Sequence, residues 1–126
     1  MSLTHAIVWT DHRTAEVLQF DAEHVRAQKV RAHSHYTRQH ESGVRTEHEF
    51  FGEVCDALKG IDEVVVTGSH KAIADFRHYA EKHRAHTATR IVGYEVIDRP
   101  TDNQLVALAH QYFLKHDRMK GINNPI

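Results

Sequence analysis

Cysteine is nearly absent from this chain. The single Cys55 leaves no partner for an internal disulfide, and a cytoplasmic location is the simplest expectation. Long apolar runs are missing as well. None approaches the roughly 18 residues that suggest a membrane span, so no membrane partner is expected. The opening "MSLTHAIVWTD" has no basic stretch followed by an apolar one, which argues against a secretory leader. No internal repeat, linker or second domain can be read in the 126 residues. They are expected to form one domain, 1–126, with a tail frayed from about residue 117. Excess charge of one sign is lacking too. Sixteen basic side chains stand against 17 acidic ones, for a formal charge of −1 with histidine neutral. Thirteen histidines make that figure soft, because an ordinary imidazole titrates near neutrality.

What is present is an ordinary globular composition, 40% apolar and 26% charged, with clear local periodicities. "THAIVWTDHRTAEVLQFD" reads as a hairpin: Ala6 to Trp9 are strand-like, Asp11 to Arg13 supply the turn, and alternation resumes over Ala15 to Phe20. "EHVRAQKVRAH" offers a third strand with Val25, Ala27 and Val30 inward, and a one-residue slip in its spacing suggests a bulge. The polar stretch His33 to Arg45 reads as a loop. Thr46 and Glu49 fit a capping box for a helix whose stripe is Phe50, Phe51, Val54, Cys55 and Leu58, with Gly60 as its stop. "EVVVTG" suits a strand buried on both faces. Ser69 is placed to cap a helix running to about Arg84 with Ile73, Phe76 and Ala80 inward, and "ATRIVGYEVI" is a further strand. Thr101 and Gln104 form a second capping box ahead of Leu105, Leu108, Ala109, Tyr112 and Phe113.

The order is β-β-β-α-β-α-β-α. Three sequential strands pair most simply as an antiparallel meander, and two strands reached through helices join in parallel. The expected fold class is α/β with a ribonuclease H-like mixed sheet. Two-metal nuclease chemistry, which that fold brings to mind, needs carboxylates converging on two cations. The first strand has no acid before Asp11, the "VVVTG" strand ends without one, and Glu49 or Glu53 would stand nearly alone. Those acids read better as turn, cap and solvent-facing residues.

Several segments together resemble a known family. The opening hairpin, the basic stretch before "EHEFFGEVCDAL", the "VVVTGSHKAIADF" strand-to-helix passage with Gly68, Lys71 and Phe76, and "RIVGYEVIDRPTDNQLVALAHQYF" are similar to the central domain of class-1 peptide-release factors and of Pelota. They are more similar still to stand-alone bacterial relatives of that domain, the translational machinery proteins. The similarity spans roughly Thr4 to Lys115. It implies a ribosome-associated protein with rRNA or tRNA as partner. In release factors the loop after the third strand carries a Gly-Gly-Gln tripeptide that promotes peptidyl-tRNA hydrolysis. Here His33 to Arg45 contains Gly43 and Gln39 but no adjacent glycines, so that hydrolysis is not expected, and more generally a non-enzymatic role is favoured.

The segment Val25 to Arg45 is the most distinctive part of the chain. It holds Arg26, Lys29, Arg31, Arg38 and Arg45, with His33, His35 and His40 among them and Glu41 as the one acid. Cations projecting outward together would release counterions from nucleic-acid phosphates, arginine adds bidentate contacts, and Tyr36 could stack on an unpaired base. The expected RNA-binding residues are therefore Arg26, Lys29, Arg31, His33, His35, Tyr36, Arg38, His40 and Arg45. A solvated face is the bland alternative. A metal-dependent hydrolase or nuclease is another, with His33, His35, His40 and His48 as ligands. A third is a protein-interaction module that dimerises through a sheet edge. No cofactor is expected. His78, Lys82 and His86 would share one face if their helix runs far enough.

Overall fold

The protein is described here by a computed structural model covering residues 4–21, 24–32 and 42–119, with the side chains of 42–46 and 114–119 outside the description. Strands β1 (His5–Thr10), β2 (Thr14–Phe20) and β3 (Val25–Arg31) lead to helix α1 (Ser42–Ala57). Strand β4 (Glu63–Gly68), helix α2 (His70–His83), the one-turn helix α3 (Ala85–Ala88), strand β5 (Ile91–Val96) and helix α4 (Asp102–Met119) follow. The five strands form one sheet in the order β3-β2-β1-β4-β5. β1–β2 and β2–β3 are antiparallel, while β1–β4 and β4–β5 are parallel. This is the expected meander with two parallel additions, the ribonuclease H-like arrangement, and only α3 is extra.

Strand alternation sorts the apolar residues into two cores. Ala6, Val8, Ala15, Val17, Val64 and Val66 face α1 and α2, meeting Phe50, Phe51, Val54, Ile73 and Phe76. Ile7, Trp9, Leu18, Phe20 and Val65 face α4, meeting Leu105, Ala109 and Phe113. Val17 and Leu18, consecutive and both apolar, thus serve opposite faces. The valine run of β4 is buried on both sides, as its composition predicts.

Local chemistry sets the boundaries. Asp11 Oδ1 accepts hydrogen bonds from the backbone N–H of Arg13 and of Thr14, both at 2.7 Å, and closes the β1–β2 turn. Gly68 ends β4 at φ +151, and a Cβ there would lie 2.0 Å from the Thr10 carbonyl oxygen across the parallel pair. The Thr101–Gln104 capping box forms, with the Thr101 N–H donating to Gln104 Oε1 at 2.9 Å and the Gln104 N–H to Thr101 Oγ1 at 3.2 Å. Ser69 occupies the N-cap of α2 without a side-chain capping bond.

Four expectations change. Helix α1 begins at Ser42, so residues 42–45 are helical and Thr46 lies inside the helix, where it cannot cap it. On β3 only Val30 is inward, while Val25 and Ala27 are exposed. The strand is a sheet edge, and α4 lies over β1, so among the described residues no helix packs on the α4-side row of β3. The β2–β3 register runs unbroken from Thr14–Arg31 to Phe20–Val25, and the sheet irregularity falls instead between Val64 and Val65. Finally, α2 stops at His83, which puts His86 on a separate turn, α3, away from the face carrying His78 and Lys82.

Candidate nucleic-acid interface

The cationic segment begins on β3, an edge strand with solvent beside it. Arg26, Lys29 and Arg31 are all exposed. Pairing fixes which way each points. Arg26 is registered with Gln19, whose Nε2 donates to the Ala57 carbonyl of α1, so Arg26 is on the α1 side of the sheet. Lys29 is opposite Glu16, and Arg31 opposite Thr14, on the α4 side. The expectation of one common outward face therefore fails for these three: alternation divides them between the two faces of the edge.

Their pairing differs as well. Lys29 Nζ lies 4.0 Å from Glu16 Oε1, and Arg99 Nη2 lies at the same distance from it. Burial, with Asp102 nearby, nevertheless raises the Glu16 carboxyl above its ordinary range, outweighing the two long cation contacts. Arg26 and Arg31 form no ion pair with another described residue. The other described arginines on the helices and β5 side are committed: Arg77 to Glu81, Arg84 to Asp56 at 2.6 Å, and Arg90 to Asp62. Arg99 also covers the Trp9 ring at 5.1 Å. Arg26 and Arg31, with Arg13 of the adjoining β1–β2 turn, are thus the arginines without an ion pair among the described residues.

His33, His35, Tyr36, Arg38 and His40 lie outside the described residues, and Arg45 is described by its backbone alone, in the first turns of α1. His48, the remaining member of the histidine metal set, has its ring 5.1 Å from Tyr79 and 5.5 Å from His83. It packs in an aromatic group between α1 and α2. Cys55 is buried in the α1-side core, and burial pushes its thiol up to about 11, the state of a packed thiol and not of a ligand or nucleophile.

Another grouping was not legible in the sequence. His12 of the β1–β2 turn, Glu47 of α1 and Asp75 of α2 converge, with one potential ligand atom from each lying within 4.8 Å of the others. They sit in three separate segments with no motif spacing, so only the tertiary fold brings them together.

No protein-family model and no curated protein sequence matches the chain. Solved structures do. Pelota from Thermoplasma acidophilum matches with a TM-score of 0.57 at 18% identity, over 90% of this chain and 33% of its own. The archaeal translation termination factor aRF1 matches with a TM-score of 0.58 at 11% identity, over 93% and 41%. Saccharomyces cerevisiae Dom34 matches with a TM-score of 0.54 at 12% identity, over 94% and 36%. The fold is release-factor/Pelota-like. A release-factor/Pelota-like fold accounts for nearly the whole chain, which spans between 33% and 41% of the length of those three proteins. Among the described residues no helix is long and apolar enough to cross a membrane.

Proposed function

We propose that this chain is a translation-associated, cytoplasmic protein that binds RNA or the ribosome through the β3 edge and the basic segment that follows it. The observation that carries this reading is the exposed edge strand with Arg26, Lys29 and Arg31, running directly into a stretch with two further arginines, three histidines and Tyr36. Because β3 is the border of the sheet, side chains from both its faces meet at one rim. A phosphate backbone lying along that rim can touch both rows, whereas a ligand on either face could not. The fold likeness supports the same reading. One structural relative is a translation termination factor, and another is described as a translation termination-like factor in RNA quality control that interacts with Hbs1. The function proposed is one of binding, without peptidyl-tRNA hydrolysis, since the sequence contains no two adjacent glycines.

The test is the variant Arg31→Ala/Arg38→Ala/Arg45→Ala, with Arg26→Ala/Lys29→Ala as a second set. Co-sedimentation with ribosomes and RNA binding across a salt series are the readouts. Each phosphate contact removed should lower the slope of log affinity against log salt by about 1, and the triple variant should bind at least about tenfold more weakly. Circular dichroism should be unchanged. Undiminished co-sedimentation in the triple variant would sink the proposal.

A further inference from the structure

We propose that His12, Glu47 and Asp75 form a binding site for a divalent transition-metal ion of the zinc class, with three protein ligands and at least one position open to water or another oxygen donor. The inference stands independently of RNA binding. His12 Nε2 and Asp75 Oδ2 are already 3.0 Å apart, and the potential ligand atoms of all three residues fall within 4.8 Å of one another. Each residue is half-buried. The cluster lies at the end of the sheet where β1 and β4 finish and α2 starts. Folds with parallel strands place ligands at that carboxyl end.

The donor chemistry selects the ion. Ligand bonds of about 2.0–2.2 Å put two donors of a tetrahedral site about 3.3 Å apart, so the His12–Asp75 pair needs to open only slightly to admit an ion between them. Calcium and magnesium take oxygen donors, whereas an imidazole with two carboxylates suits first-row transition ions. Two carboxylates and a neutral imidazole also balance a 2+ charge. Three protein ligands leave one tetrahedral position vacant, the pattern of an open zinc site.

The scaffold holds the three in place. The Asx turn of Asp11 fixes the backbone that carries His12, and Asp11 Oδ1 also accepts from Thr14 Oγ1 at 3.2 Å. That oxygen is occupied by the turn and is not counted as a fourth ligand. Glu47 stands one turn before Phe51, and Asp75 immediately precedes Phe76. The Phe51 and Phe76 rings meet edge-to-face at 5.3 Å in the core. The spacing of α1 and α2 beneath the cluster is therefore set by packing that the site itself does not supply.

The test uses the full chain without an affinity tag, stripped with chelator and then titrated calorimetrically with Zn²⁺. Co²⁺ titration followed by visible absorption reports the coordination. We expect one ion per chain and a rise in Tm when the site is filled. His12→Ala and Asp75→Asn should each weaken Zn²⁺ at least about 100-fold, since a ligand is worth more than the 10- to 100-fold of an outer partner. Glu47→Gln should weaken it while leaving the His12–Asp75 hydrogen bond in place, so the site remains testable should either other variant fold poorly. His33→Ala/His35→Ala/His40→Ala should bind as the parent does. The proposal is overturned if the parent takes up no stoichiometric Zn²⁺. It is equally overturned if Glu47→Gln and Asp75→Asn bind with parental affinity, or if the triple histidine variant alone abolishes binding.

Discussion

Cys55 shows how much a single side chain can be read from its place in a pattern. It falls in the stripe with Phe51, Val54 and Leu58, and it is buried among them. Desolvation is the main cause of its raised thiol, with Arg84 opposing and Asp56 assisting only weakly. The folded state therefore holds this proton to about pH 11, whereas the unfolded chain releases it from about 9.0. Between those values the folded state binds more protons than the unfolded one, so stability is full below pH 9 and falls as pH rises through the window. A shift of this size corresponds to at most about 3 kcal/mol. Denaturation of the parent and of Cys55→Ala from pH 8 to 11 should show the steeper loss in the parent. Burial of Tyr94, pushed up to about 12, adds a decline of the same sign to both. Iodoacetamide at pH 8 should label Cys55 only after unfolding. Other residues were less legible. Val25 and Ala27 have the spacing of inward residues, but inwardness also needs a helix overhead, and among the described residues none packs on that side of β3.

At the scale of elements, the two capping boxes make an informative pair. Thr101 and Gln104 mark a helix start and make both reciprocal hydrogen bonds. Thr46 and Glu49 carry the same signature but fall inside α1, which begins at Ser42. The signature is short, and glutamate is common within helices for its propensity alone, so the pattern arises without a boundary. The two sites should respond differently to the same change. Thr101→Ala removes a satisfied cap and should cost about 1 kcal/mol, with faster amide exchange in the first turn of α4. Thr46→Ala removes no cap and replaces a β-branched residue in a helix interior, so stability should hold or rise by a few tenths of a kcal/mol. Equal losses at both sites in urea denaturation would contradict this assignment. The apolar stripes of α1, α2 and α4 and the buried valines of β4 were legible because many residues agree on one period. Caps, bulges and the start of α1 rest on two or three residues each, and the sequence misplaced two of these.

For the whole molecule, the question is where charge goes when the fold closes. Arg77 of α2, Arg84 between α2 and α3, and Arg90 just before β5 are drawn into pairs with the chain's own acids. The sheet edge keeps Arg26 and Arg31 free of partners among the described residues. That border therefore carries positive charge that no described acid neutralises, in a chain that is near neutral overall. The composition of that border was legible in the sequence. The division of its cations between two faces was not, because it depends on strand register. The convergence of His12, Glu47 and Asp75 was not legible either, because it depends on how two helices dock beside a turn. The basic segment proposed as the contact also contains His33, His35 and His40. Imidazoles of ordinary basicity gain charge between pH 8 and 5.5, while ordinary carboxylates are still ionised. Added positive charge in a contact segment favours binding of a phosphate backbone and releases further counterions. RNA affinity measured by fluorescence anisotropy should rise as pH falls from 8 to 5.5, and the salt slope should steepen with it. In His33→Ala/His35→Ala/His40→Ala that rise should shrink while affinity at pH 8 stays close to the parent's. A pH response that persists undiminished in this variant would move the contact surface away from β3 and its continuation, towards the histidines of α2 and α3.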